Sequence, residues 1–295
     1  DPTDITINAG AGADTASQVY ANNIQSTLNT GTSVTVTTSG AGADQGDITV
    51  NGNVNINKTG GGDATLRLNA NRDIRFVGSA GNTIDIASSS NKLNVTLNSD
   101  IDQGSDGGIG GAVYLNYTNI NTNGGDLIIG GGADPTTQNA IGSSVFHDAV
   151  RLNNSTVQTG AGNISMRGTG FDDAAGTGLY GIVMTSASLT TTSGNITLTG
   201  SGGDGASSSA GLHLESGTTI TSADGQVTLT GTGGNVTGNH STGMTILDSA
   251  VRTTGMGDLT LVGNARDGVE SNRGVYISGA TSEISTVNGD LSVTG

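Results

Sequence analysis

The sequence predicts an all-β chain: a right-handed parallel β-helix, one continuous solenoid of about nine or more coils. Three observations lead there. A short motif recurs about every 32 residues, aliphatic residues come in period-2 pairs, and the intervals between successive pairs are nearly constant.

The motif is plainest toward the C-terminus, in Gly162-Asn163-Ile164-Ser165-Met166, Gly194-Asn195-Ile196-Thr197-Leu198, Gly225-Gln226-Val227-Thr228-Leu229, Gly257-Asp258-Leu259-Thr260-Leu261 and Gly289-Asp290-Leu291-Ser292-Val293. Its glycines lie 32, 31, 32 and 32 residues apart. Extended backwards, the alignment takes in Ile48/Val50, Leu66/Leu68, Val95/Leu97 and Leu127/Ile129. One residue separates the partners of every pair, as in a strand that buries one face. This is strand A.

A second pair follows at Val113/Leu115, Val150/Leu152, Ile182/Met184, Leu212/Leu214, Met244/Ile246 and Val275/Ile277. This is strand B. Single aliphatics at Ile120, Val157, Leu189, Ile220, Val251 and Ile284 mark strand C. B-to-C and C-to-A spacings hold at seven to nine residues, whereas the A-to-B connection ranges from 14 to 21. A coil whose path is fixed on two sides and looped on the third has this signature. One such unit cannot bury its own aliphatic face, so units must stack, each strand pairing with its counterpart about 4.8 Å above and below. The crossover between parallel strands is then the rest of the coil, which favours the right hand.

Turn residues fit. Asn123-Gly124-Gly125-Asp126, Ser193-Gly194-Asn195, Asp224-Gly225-Gln226 and Asn288-Gly289-Asp290 precede strand A, and Gly and Asn accept positive φ at sharp corners. Both prolines, Pro2 and Pro135, fall outside every strand. Residues 92–295 read as regular three-strand coils and 1–91 as irregular coils of the same single solenoid. Ile5/Ile7 and Val34/Val36 read as strands of earlier coils, and Ile74/Phe76 and Ile84/Ile86 as extra strands. Ala16, Tyr20, Ile24 and Leu28 recur every four residues, predicting a short amphipathic helix near 16–28 that caps or flanks the solenoid.

Composition limits the function. With 25 acidic against 10 basic residues, the chain does not suit nucleic acid or an anionic membrane as partner. No apolar run is long enough for a transmembrane helix, so no membrane insertion is expected. Cysteine is absent, which removes disulfides and thiolate chemistry and suits a chain exported unfolded. Both ends read as cuts rather than natural caps.

The segments Asp1-Pro2-Thr3-Asp4-Ile5-Thr6-Ile7, Gly46-Asp47-Ile48-Thr49-Val50, Lys92-Leu93-Asn94-Val95-Thr96-Leu97 and Ile120-Asn121-Thr122-Asn123-Gly124-Gly125-Asp126 resemble those of filamentous-haemagglutinin-type exoproteins, the large partners of two-partner secretion systems. The resemblance spans the chain and implies a parallel β-helix and passage through an outer-membrane transporter. It also implies a secreted, bacterial cell-surface location and roles in adhesion or biofilm. The family's amino-terminal secretion domain, with its Asn-Pro motif, is not found here, so this reads as an internal stretch of shaft.

No catalytic, cofactor-binding or metal residues stand out. The outward residues of strand A (Thr49, Arg67, Thr96, Ile128, Ser165, Thr197, Thr228, Thr260, Ser292) make a mostly hydroxyl ladder, with Thr199 and Thr230 beside it. An ice-binding face is one reading and ordinary exposed strand Thr the favoured one. Loop carboxylates Asp106, Asp172, Asp173, Asp204, Asp267 and Glu270, and the segment Gly60-Gly61-Gly62-Asp63, could hold calcium. Solvated loops are the favoured reading. The outward strand B residues (Tyr114, Arg151, Val183, His213, Thr245, Tyr276) show no carboxylate column beside them in sequence. His147, His213 and His240 have no spaced partners. Phe146, in the long loop from Gly130 to Asp148, reads as a satellite of the core. The expected function is a non-enzymatic extracellular shaft, whose partners are copies of itself or the rest of a larger exoprotein, with matrix or host glycans as further candidates. The alternatives are a filament subunit stacking end to end through its terminal coils, and a carbohydrate-binding or carbohydrate-cleaving β-helix.

Overall fold

Period-2 aliphatics and short corners leave the chain one way to bury its apolar side chains, and it takes it. The computed structural model describes residues 3–38, 44–102 and 110–295. It is an all-parallel β-solenoid of about eight turns, with about 32 residues per turn and one short helix. Asp1, Pro2 and Asp106 lie outside the described residues.

Three long sheets run along the axis. Sheet A climbs from Val34–Thr37 through Ala64–Asn69, Leu93–Ser99, Leu127–Gly131, Ile164–Thr169, Ile196–Ser201, Val227–Thr232 and Leu259–Asn264 to Leu291–Thr294. Sheet B starts at Gln18–Tyr20 and Ile5–Asn8 and climbs through Ile48–Asn51 and Ile74–Val77 to Arg273–Ser278. Sheet C runs from Asn55–Lys58 to Glu283–Ser285. Pairing is in register, as in Ile196 with Val227 and Leu198 with Leu229, so each aliphatic position becomes a column. One hydrophobic core extends unbroken from Ile5 to Leu261. Each fully buried aliphatic there contributes about 1.5–3 kcal/mol.

The early turns differ from the sequence reading. Ile48/Val50 belong to sheet B, paired with Ile5/Ile7 and Ile74/Phe76, and sheet A begins instead at Val34/Val36, paired with Leu66/Leu68. Ile74/Phe76 and Ile84/Ile86 are ordinary rungs of sheets B and C, not extra strands. All three sheets present the same period-2 pair, so where connectors are short the spacing does not say which sheet a pair joins.

The helix, α1 (Ala21–Leu28), is shorter than expected. Tyr20 is its extended N-cap, and Ala16 lies exposed before it. Ala21, Ile24 and Leu28 point into the core, and α1 packs against Asn55–Lys58, the terminal strand of sheet C. It therefore takes the place of a sheet C rung and covers that edge with its polar face outward. Of the two placements the sequence allowed for this helix, cap or flank, the structure takes the cap on the sheet C edge. In the last turn Leu291 and Val293 are 48% and 49% exposed.

The corners meet the expectation in part: before sheet A, Asn91, Asn123 and Gly124 are left-handed. The glycines before sheet A, such as Gly162, Gly194 and Gly225, do not need positive φ. They need the absence of a side chain, since a Cβ on Gly194 would sit 1.8 Å from the Gly162 carbonyl oxygen of the turn below. Left-handed residues also recur at the B-to-C corner, in Asn53, Tyr117, Asn154, Ser186, Ser216 and Asp248. Inside the C-to-A corner runs a buried polar column. Thr159 and Thr191 hydroxyls donate to the Gly162 and Gly194 carbonyls, each at 2.6 Å. Lys58 holds the same corner near the N-terminal end, fully buried, its Nζ donating to Gly60 and Ser90 carbonyls at 2.9 and 2.6 Å.

Candidate functional site

Chemistry-bearing side chains collect on the outer face of sheet B. Its outward column reads Thr49, Arg75, Tyr114, Arg151, Val183, His213, Thr245 and Tyr276, each in register with the next. Strand alternation places them outside because their neighbours in sequence fill the core.

Carboxylates do stand beside this column, contrary to the sequence reading. Asp4, Asp47 and Asp73 each precede a sheet B strand, and each accepts backbone N–H bonds from the next turn. Asp47 receives the Arg72 fork at 2.8 and 2.7 Å, and Arg75 at 2.8 Å. That fork raises the Arg72 pKa, its hydrogen bond to Asp47 outweighing burial. Asp73 is fully buried, and burial pushes its carboxyl up to about 6 against the opposing Ala112 N–H bond. One row further, Asp148 pairs with Arg151 and accepts the Tyr180 N–H at 3.2 Å. Burial raises Asp148, and burial with the Asp148 charge raises the Tyr114 phenol. Asp148 was missed because it stands two positions before its strand, where other turns carry Tyr180, Ala210, Thr242 or Arg273.

Rings join the same face. Phe146 does not enter the core as a satellite. Its loop folds back so that it meets the outer side of Tyr114, 4.4 Å between centroids, with Arg75 5.8 Å over its other side. His147 stacks on Phe171 at 5.8 Å, and Tyr180 on His213 at 4.6 Å and 9°. Arg273 lies 4.4 Å over Tyr276. Two histidines have carboxylate neighbours that sequence spacing did not show: Glu215 is 3.3 Å from His213 and Asp173 is 4.0 Å from His147. His240 shares a shallow groove of about 340 Å³ with His213, Tyr180, Thr245, Arg273 and Tyr276.

The other candidate faces are simpler. On sheet A, Ser165, Thr197, Thr228 and Thr260 do form one column, flanked by Thr199 and Thr230. Arg67, Ile128 and Arg167 break the array, and Arg167 Nε donates to the Thr136 carbonyl at 2.9 Å. The A-to-B loops stack as well: Asp173–Thr177 pairs with Gly205–Ser207 in a small extra sheet. Their carboxylates serve that stacking. Asp172 accepts the Asp204 N–H at 2.8 Å, and Asp204 the Asn235 N–H at 2.7 Å. Asp63 likewise accepts the Lys92 N–H at 2.9 Å. Among the described residues no three His, Cys, Asp or Glu side chains converge as a metal site would require.

No family model and no curated protein matches the chain. What it is rests on its own geometry: a parallel β-solenoid with a continuous core and one ornamented face.

Proposed function

We propose that this chain is a structural and adhesive shaft, a rigid extracellular β-helical segment of a secreted bacterial surface protein of the filamentous-haemagglutinin type. The observation that carries the reading is the single apolar core running unbroken from Ile5 to Leu261. Such a body is stiff along its axis, because every rung is hydrogen-bonded to the one above and below, and it spans roughly 40 Å in eight steps of 4.8 Å. The recurring segments that resemble this exoprotein type, and a sequence free of cysteine, support export through an outer-membrane transporter. Acidic charge supports solubility outside a cell and argues against a polyanionic partner bound by charge alone.

End-to-end stacking into a filament is the weaker reading, because α1 already covers the sheet C edge of the first turn. Catalysis draws less support still. The carboxylates of the sheet B face are held by arginines and by backbone N–H groups of the next turn.

Surface labelling tests the shaft reading. An antibody against this chain should stain intact cells of the source bacterium and lose its signal after external protease treatment, while a cytoplasmic marker survives. Staining only after the cells are broken open would defeat it.

A further inference from the structure

We propose that the groove between the Tyr180–His213 and Arg273–Tyr276 pairs binds an acidic saccharide, one whose pyranose ring carries a carboxylate. This gives the adhesive half of the shaft reading a ligand class, and in that sense rests on it.

The argument begins with where the rings are. The chain has only eight Tyr and Phe residues, and of these Phe76 fills the core. Every ring stack and cation–ring contact among the described residues lies on the outer side of sheet B or on the loops beside it. A protein so poor in aromatics gains little stability by holding them outside, where their apolar faces meet water. Such placement is ordinary for a surface that meets a ligand with one apolar and one hydroxylated side.

Register then shapes the groove. Two adjacent outward columns climb the face here. One runs from Ala210 through Thr242 to Arg273, and the other from His213 through Thr245 to Tyr276. Small residues at Ala210, Thr242 and Thr245 leave a depression, closed below by the Tyr180–His213 stack and above by Arg273 on Tyr276. It is about two turns long, roughly 10 Å at 4.8 Å per turn, which accommodates one or two sugar rings. Ser208 and His240, both held at positive φ, form one rim.

Charge selects the substituent. Arg75 and Arg151 on this face are each committed to a carboxylate, Asp47 and Asp148. Arg273 takes part in no ion pair among the described residues, and the Tyr276 face beneath it fixes its planar fork. A guanidinium so held matches a carboxylate through two parallel hydrogen bonds. Beyond the groove wall, Glu215 lies 3.3 Å from the His213 ring and accepts the Thr185 hydroxyl at 2.9 Å, while the hydroxyls of Ser208, Ser209, Thr242 and Thr245 line the groove for those of a sugar. With a net charge of −15 the chain repels polyanions at a distance, so an acidic sugar bound here is held by local fit.

Titration calorimetry on the full chain tests this, with hexagalacturonate as the probe and its fully methyl-esterified form as the uncharged counterpart. The acid form should bind measurably below about 1 mM, and the ester at least about tenfold more weakly. Arg273→Gln should weaken the acid form about tenfold with melting temperature unchanged, and Tyr180→Ala about fivefold with the circular dichroism of the folded chain retained. Arg252→Gln removes an exposed arginine from sheet C and should leave affinity within about twofold. No binding of the acid form, equal binding of acid and ester, or equal losses in the Arg273 and Arg252 variants would each overturn the proposal. Because the measurement uses purified chain, a groove that fails here leaves the surface-labelling result standing, and the reverse also holds.

Discussion

At the level of single residues, the two faces of a strand carry opposite consequences. Leu198 is fully buried, while Thr197 points outward between Ser165 and Thr228. Leu198→Asp should cost at least about 4 kcal/mol and lose the folded signal in circular dichroism, whereas Thr197→Asp should stay within about 1 kcal/mol of the parent. This contrast was legible in the sequence, because period 2 assigns every second side chain to the core. Asp73 was not legible. Nothing in Arg72-Asp73-Ile74 says that a carboxylate one position before a strand ends up fully buried beneath the next turn. Its pKa is raised to about 6, above the unfolded value near 4, so between those values the folded state keeps a proton that the unfolded chain has lost. Stability from this residue is therefore full below about pH 4, falls as pH rises, and is gone above about pH 6. Asp73→Asn keeps the acceptor for the Ala112 N–H and removes the charge. It should gain on the parent by on the order of 2 kcal/mol between pH 4 and pH 7 in thermal melts. A constant difference across that range would refute the burial argument.

At the level of elements, the regular turns from Leu93 onward were readable because loops vary on one side only. The first turns were not, since Ile48/Val50 and Val34/Val36 are interchangeable by pattern and only pairing distinguishes them. For the glycines before sheet A, positive φ accounts for Gly124 but not for Gly162, Gly194 and Gly225. Stacking them in a column forbids a Cβ, and a single sequence cannot show a contact between turns 32 residues apart. The groove was hidden for the same cause: Tyr180, His213 and Tyr276 lie in three separate turns, and only the register joins them. α1 offers a test of its own. Leu28 anchors it in the core, so Leu28→Asp should release the helix and uncover the first turns. Hydrogen exchange should then lose protection in Val34–Thr37 and Ala64–Asn69, while Ile196–Ser201 keeps it, because a solenoid turn touches only its neighbours. Uniform loss along the chain would mean that α1 supports more than the end it covers.

At the level of the whole molecule, everything depends on turns stacked in register along one axis. The chain has no cysteine, so spin labels can be placed at will. Thr35, Arg67, Ile128 and Thr260 occupy one outward column of sheet A, with Thr260 seven, six and four turns from the other three. Pulsed electron-spin distances from a label at Thr260 to labels at Thr35, Arg67 and Ile128 should be about 34, 29 and 19 Å, falling by about 4.8 Å per turn. Broad distributions centred beyond about 50 Å, as a flexible chain of that contour would give, or distances with no constant step, would contradict the solenoid.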